Sequence, residues 1–157
     1  ALTNAYVQPM SLGVSELAAL TIAFEPSLTV PPRGMLRFAA PVGFVIPVPC
    51  QGLYLDTFAT LQGFAPLPPD TECGRGAGGA HVVELRLGGA SYLAASRRFR
   101  FRLSVLHPDK ATPLRTEGEM WSFFSAERTE LGEAHLERNP AVAGYPLHDR
   151  LKAFGVQ

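Results

Sequence analysis

Hydrophobic and polar residues alternate most strictly in one segment of the second half of the chain. That segment reads Arg98, Phe99, Arg100, Phe101, Arg102, Leu103, Ser104 and Val105. Because successive side chains of a strand point to opposite faces, its apolar residues share one face and its arginines the other. The pattern predicts a half-buried antiparallel strand, which Pro108 ends because proline donates no hydrogen bond to a sheet.

Shorter apolar runs predict further strands. They lie at residues 17–24, 35–39, 44–48, 54–61, 82–87 and 120–125. Turns rich in proline and glycine separate them at intervals of about 8–12 residues, which is typical of a β-sandwich. We therefore predict an all-β, antiparallel β-sandwich of about seven strands, which would form the core domain at residues 17–126.

The two ends of the chain carry predictions of their own. Residues 1–16 are expected to form an extended N-terminal arm, anchored by Leu2, Tyr6 and Val7. The alternative is that this arm is an ordinary first strand of its own sandwich. Residues 127–157 are expected to combine a short helix at 127–138, weakened by an internal glycine, with a C-terminal strand that packs on the sandwich or on a neighbour. The apolar residues of that strand are Leu151, Phe154 and Val156.

Composition narrows the function classes. The chain has 157 residues, 46% hydrophobic and 18% charged, which excludes a disordered chain and allows one domain with its own core. Its formal net charge is +0, so neither nucleic acid nor an anionic membrane should attract it broadly. No apolar run reaches the roughly 18 residues of a membrane-spanning helix, and we expect no membrane insertion.

The two cysteines, Cys50 and Cys73, match no metal-binding or redox spacing. We expect them to form one disulfide in an oxidising compartment, which would contribute roughly 3 kcal/mol in the chain-entropy model. The alternative is a pair of buried free thiols in a cytosolic protein.

Catalytic signals are weak. Residues 74–79 satisfy the GxGxxG pattern, but a dinucleotide site needs a strand before it and a helix after it, so a hairpin loop is expected here. The four histidines are scattered, and His107 is expected to be a turn residue rather than a general base. We expect no enzyme activity, no catalytic residue, no metal and no cofactor.

The arginine stripe of Arg98, Arg100 and Arg102 is a candidate polar interface. Guanidinium groups on one strand face would bind phosphate, a sulfated glycan or the carboxylates of a neighbour. The alternative is a solvated sheet face whose arginines pair with acids such as Glu84 or Glu119.

One block of the sequence resembles a known family. Residues 93–108, followed by Trp121-Ser-Phe123, are similar to an L-x-A-G-x-x-(aromatic)-x-F-x-L-x-V-x-N-P strand and turn that leads to a W-x-F strand. That pattern occurs in Ig-like β-sandwich modules of large extracellular proteins from unicellular algae and alveolates. Ser96 and His107 stand where Gly and Asn are usual. The resemblance implies an extracellular or cell-surface, non-enzymatic Ig-like module of coats, appendages or fibrils.

Two functions follow as expectations. The first is a subunit of an extracellular helical fibril, in which the arm of one copy completes the sheet of an identical copy by strand complementation. The second is a carbohydrate-binding or adhesive module of a larger surface protein, with glycans as partners. Sugar sites favour exposed aromatic side chains. The candidates are Tyr54, Tyr92, Trp121 and Tyr145, of which Trp121 is expected in the core.

Overall fold

The computed structural model describes residues 2–50, 61–109 and 120–147. Eight strands run through these residues. They are β1 (Thr3–Pro9), β2 (Leu17–Glu25), β3 (Met35–Ala39), β4 (Glu72–Arg75), β5 (Val82–Arg86), β6 (Phe99–Leu106), β7 (Trp121–Thr129) and β8 (Gly132–Val142). The prediction of an all-β sandwich is confirmed. Within the described ranges, no helix has the length and apolar character needed to cross a membrane.

Two antiparallel sheets form the sandwich. One has the strand order β1-β2-β6 and the other the order β4-β5-β3-β7-β8. Aromatic rings join the sheets across the core: the ring of Phe38 on β3 lies 5.4 Å from that of Phe101 on β6. Phe24 on β2 lies 5.9 Å from Phe38, and all three side chains are buried. The core therefore rests on the apolar faces that strand alternation predicts.

Strand β6 matches the strictest part of the pattern. Its residues Phe99, Phe101, Leu103 and Val105 are all buried, while Arg100 and Arg102 are half-buried on the outer face. β6 pairs with β2 in unbroken register from Leu17↔Leu106 to Phe24↔Phe99. The alternation thus predicts both the strand and its inward face.

The helix predicted at residues 127–138 is wrong. These residues belong to the hairpin of β7 and β8, in which Gly132 begins β8 directly after the turn, with a φ of 118°. Two register shifts interrupt the pairing, one between Trp121 and Phe123 and one between Ser125 and Ala126. Each shift adds a residue to β8 and moves its side chains out of phase, so the strand shows no clean alternation in the sequence.

Strand β4 was not predicted. It is four residues long and pairs with β5 through Cys73↔Leu85 and Gly74↔Glu84. The glycine-rich loop joins β4 to β5, so it is the expected hairpin connection and not a phosphate loop. The disulfide is confirmed: Cys73 on β4 bonds to Cys50, with the two Cα atoms 5.6 Å apart.

The other strand predictions differ in outcome. The strands expected at residues 17–24, 35–39, 82–87 and 120–125 correspond to β2, β3, β5 and β7. Residues 44–48 form only isolated bridges, because Val45 meets Leu106 at a single point. The strand expected at residues 54–61 lies outside the described residues except for Leu61.

Candidate assembly edge and arginine face

Strand β1 forms one edge of the three-stranded sheet. It pairs with β2 of the same chain, through Tyr6↔Ala23, Val7↔Ile22 and Gln8↔Thr21. Residues 3–9 of the expected arm therefore occupy the position that the alternative interpretation assigns to them, a first strand of the chain's own sandwich.

The three expected anchor residues all pack against the sandwich. Leu2 is 1% exposed and Val7 is 9% exposed, and both lie in the hydrophobic core. The Tyr6 ring meets the Phe64 ring edge to face at 6.5 Å. Asn139 on β8 donates a hydrogen bond of 3.0 Å to the Leu2 carbonyl, so the start of the segment also touches the second sheet. These contacts make the segment a docked strand with apolar anchors.

The connection from β1 to β2 is held tightly at its second half. The Ser15 amide donates to the Pro108 carbonyl at 2.9 Å, and the His107 amide donates to the Glu16 carbonyl at 2.9 Å. On the first half, the Met10 amide donates to the Ala19 carbonyl, which continues the β1–β2 ladder. A hinge that frees β1 would therefore lie at residues 10–12.

His107, which the sequence predicts to be a turn residue, directly follows β6 and is buried. Its Nδ1 lies 2.9 Å from the Gly13 carbonyl, which only accepts, so Nδ1 carries the proton. Its Nε2 then accepts a hydrogen bond of 3.0 Å from the Tyr145 hydroxyl. Burial lowers the pKa of His107, although the Gly13 hydrogen bond and the Glu16 charge act in the opposite direction. Both ring nitrogens are engaged, so the group has a structural role.

Tyr145 extends this cluster towards the C-terminal side of the described chain. Burial raises the pKa of its hydroxyl, which therefore stays protonated as the donor to His107. Its ring packs 6.5 Å from the Trp121 ring and 6.1 Å from the Phe44 ring. His107 continues the two-residue alternation of β6 beyond Val105, and this signal in the sequence would have placed it on the inward face.

The arginine stripe lies on the outer face of the three-stranded sheet. Arg100 and Arg98 lie over the Phe64 ring, with guanidinium carbons 4.7 Å and 5.9 Å from its centroid. The side chain of Arg98 is 57% exposed and reaches Glu25 at 3.8 Å. Arg100 and Arg102 instead line a cavity of about 320 Å³. The other residues that line the cavity are Gln8, Pro9, Met10, Thr21 and Gln62.

The expected pairing of the stripe with Glu84 is wrong. Glu84 lies on β5 of the five-stranded sheet, where it accepts hydrogen bonds from Arg37 at 2.9 Å and from Arg86 at 3.1 Å. The two sheets keep Glu84 and the stripe apart. The other expected partner, Glu119, lies outside the described residues.

The aromatic candidates for sugar binding differ in burial. Trp121 is fully buried, as predicted, and Tyr145 is also in the core. Tyr92 is 59% exposed, beside a groove of about 310 Å³ that Pro66, Pro69 and Arg97 help to line. Tyr54 lies outside the described residues, as do three expected anchors, Leu151, Phe154 and Val156.

Among residues 2–50, 61–109 and 120–147, no group of three or more His, Cys, Asp or Glu side chains is arranged to hold a metal ion. The structure instead brings together the edge strand β1, with its apolar anchors, and a cavity lined by Arg100 and Arg102.

No family model matches the chain, and no curated protein matches it. Among solved structures it is similar to a family GH18 chitinase from Chromobacterium violaceum, at 16% identity and a TM-score of 0.35. The similarity covers 83% of this chain, which spans 18% of the length of that chitinase chain.

Proposed function

We propose that this protein is a structural subunit of an extracellular helical fibril, in which identical copies exchange strand β1 head to tail. The observation that carries the proposal is the position of β1 as an anchored edge strand. Its partner among the described strands of the sheet is β2, and its buried anchors are Leu2 and Val7. A strand that pairs with β2 inside one chain can make the same contacts with β2 of another copy.

The energetics of exchange favour this strand. The five residue pairs between β1 and β2 and the burial of Leu2 and Val7 would be identical in the closed and exchanged forms. The change is therefore confined to the hinge at residues 10–12 and to the entropy of association. Exchange that does not close into a ring continues from copy to copy and builds a helical filament.

The disulfide supports the extracellular part of the proposal. Cys50 and Cys73 are bonded, and such bonds persist in oxidising compartments. The bond fixes the edge strand β4, which lies on the sheet opposite β1. A subunit built this way would keep β4 fixed while β1 exchanges together with the core residues Leu2 and Val7.

A paired-cysteine experiment tests the exchange directly. Gln8 and Thr21 face each other across β1 and β2. In the variant Gln8→Cys/Thr21→Cys, oxidation after assembly should link neighbouring copies and give a ladder of multimers on a denaturing gel without reductant. A matched control, Ala19→Cys/Ser104→Cys, joins β2 to β6, whose pairing is not exchanged, and should give monomers only. Monomers from both variants would exclude exchange.

Deletion of residues 1–9 gives a second test. The truncated chain should remain folded or nearly folded by circular dichroism, and it should form no filaments in negative-stain microscopy. Filaments from the truncated chain would contradict the role of β1. Full-length protein that stays monomeric at high concentration would contradict the fibril itself.

The second candidate function is that of a carbohydrate-binding or adhesive module. Exposed Tyr92 beside the polar Arg97 favours it, because an exposed aromatic face next to a hydrogen-bond donor suits a sugar ring. Reproducible binding on a glycan array, lost in Tyr92→Ala, would support this function.

A further inference from the structure

The cavity on the outer face of the three-stranded sheet has a consistent chemistry. Arg100 and Arg102 line it from β6, Thr21 from β2 and Gln8 from β1. Gln62 lines it from the turn at residues 62–63. No carboxylate is among the described residues that line it. The described lining therefore combines two guanidinium groups with three neutral polar side chains.

The arginines can bind a ligand in addition to their contacts within the protein. A guanidinium carries five N–H donors, so a ligand can bind to some of them while others keep contacts within the protein. Phe64 lies against Arg100 at 4.7 Å and restricts where that guanidinium can move. An arginine held in this way loses less side-chain entropy when it binds an anion.

From this geometry we propose that the cavity binds a tetrahedral oxyanion, the sulfate or phosphate group of a small ester. Thr21 pairs with Gln8 on one side and with Arg102 on the other, so these three side chains lie in one row on the sheet face. Arg100 and Gln62 also line the cavity. A tetrahedral oxyanion offers more acceptor oxygens to such a set of donors than the two of a carboxylate. The arginines supply charge, and Thr21, Gln8 and Gln62 supply neutral donors.

The size of the cavity indicates an ester rather than a bare ion. Its volume of about 320 Å³ is at the lower end of the range of small-molecule sites, roughly 300–1,000 Å³. It therefore has room for the group and for part of the molecule that carries it. The site is formed in the single chain, so the proposal does not depend on fibril assembly.

Isothermal titration calorimetry on the full chain tests the proposal. The probes are sodium sulfate, sodium phosphate, glucose 6-sulfate, glucose 6-phosphate, glucuronate and glucose, in chloride buffer. Both glucose esters should bind, more tightly than the free ions, and binding should weaken as sodium chloride is raised. Tighter binding by the free ions would assign the site to an inorganic oxyanion. Binding of none of the four sulfate and phosphate probes, or equally tight binding of glucuronate, would overturn the proposal.

Two variants with the same change in charge distinguish binding at a defined site from non-specific electrostatic attraction. Arg102→Gln removes a guanidinium that lines the cavity and should weaken ester binding about tenfold or more. Arg98→Gln removes a more exposed arginine of the same strand face that does not line it, and should change the affinity less than about twofold. Equal losses in both variants would overturn the proposal. If Arg102→Gln fails to fold, Gln62→Ala, which keeps the net charge, should weaken binding measurably, and unchanged binding would exclude the site.

Discussion

At the scale of single residues, Ser96 has a backbone conformation that its side chain disfavours. Its φ is 63°, in the left-handed region, and its amide donates to the Pro26 carbonyl at 2.6 Å. For a residue with a Cβ this conformation costs roughly 1–2 kcal/mol, whereas glycine adopts it freely. Glycine at this position would therefore remove a strain that serine carries.

We therefore expect Ser96→Gly to stabilise the protein. The relief of strain should exceed the extra entropy of glycine in the unfolded chain, for a net gain of about 0.5–1 kcal/mol in the free energy of unfolding. Urea denaturation measures it. The control is Ala95→Gly on the same loop, where φ is not positive, and there we expect a loss of about 0.5–1 kcal/mol. Stabilisation by both changes would contradict the argument.

Glu84 is the second residue whose role can be tested singly. Its side chain is 11% exposed, links β5 to β3 through Arg37, and also pairs with Arg86 on its own strand. Glu84→Gln removes charged hydrogen bonds in a largely buried place and should lower the free energy of unfolding by about 1–2 kcal/mol. Glu133 meets Arg86 at 3.4 Å and is 32% exposed, so Glu133→Gln should cost less than about 0.5 kcal/mol. Equal costs would show that burial does not matter here.

At the scale of elements, the disulfide ties the short strand β4 to the preceding segment. Cys50 and Cys73 are separated by 23 positions, and β4 offers only four residues of pairing. The double variant Cys50→Ser/Cys73→Ser should lose about 3 kcal/mol of stability, because the unfolded chain regains the entropy of the open loop. Thermal unfolding by circular dichroism measures the loss. An unchanged melting temperature would contradict it.

The elements that the sequence predicts are those whose alternation is unbroken. Strands β2 and β6 pair without a bulge, so every second side chain packs in the core. The alternation of apolar residues is therefore visible in the sequence. Strand β8 has two bulges, only two of its eleven residues are buried, and its charged residues resemble a helix surface. Its identity depends on long-range pairing with β7, which local pattern does not encode.

The sequence predicts only part of the arginine-lined site, because only that part depends on unbroken alternation. The arginine stripe follows from alternation, but the cavity does not, because Gln8 and Gln62 reach it from distant parts of the chain. The sequence leaves the position of β1 open between an arm and a first strand, since seven extended residues contain no information about which copy of β2 they pair with.

At the scale of the whole molecule, His107 joins three parts of the chain. Its ring contacts Gly13, before β2, and Tyr145, after β8, while its own position follows β6. Because burial lowers its pKa below the ordinary 6.5, the unfolded chain binds this proton more readily than the folded one. The contribution of neutral His107 to the free energy of unfolding is fully present above about pH 6.5. It is lost as the pH falls towards the folded-state pKa of this residue.

We therefore expect the free energy of unfolding of the wild type to fall more steeply between pH 7 and pH 5 than that of the variant His107→Gln. The difference in the free energy of unfolding between the two proteins should narrow as the pH falls, by at most about 1.4 kcal/mol per pH unit. His135→Gln removes an exposed ring and controls for general effects of histidine replacement. A difference between wild type and His107→Gln that stays constant from pH 7 to pH 5 would exclude this role.

Among the described strands, β8 is an edge of the five-stranded sheet, and this would affect the shape of the proposed polymer. Pro140 offers no N–H, and the two bulges break the even spacing that a further strand would need. Lateral growth of the five-stranded sheet is therefore blocked on that side, while β1 leaves the opposite sheet able to link copies end to end. The proposed fibril would therefore consist of thin threads, one molecule across, that do not thicken into ribbons.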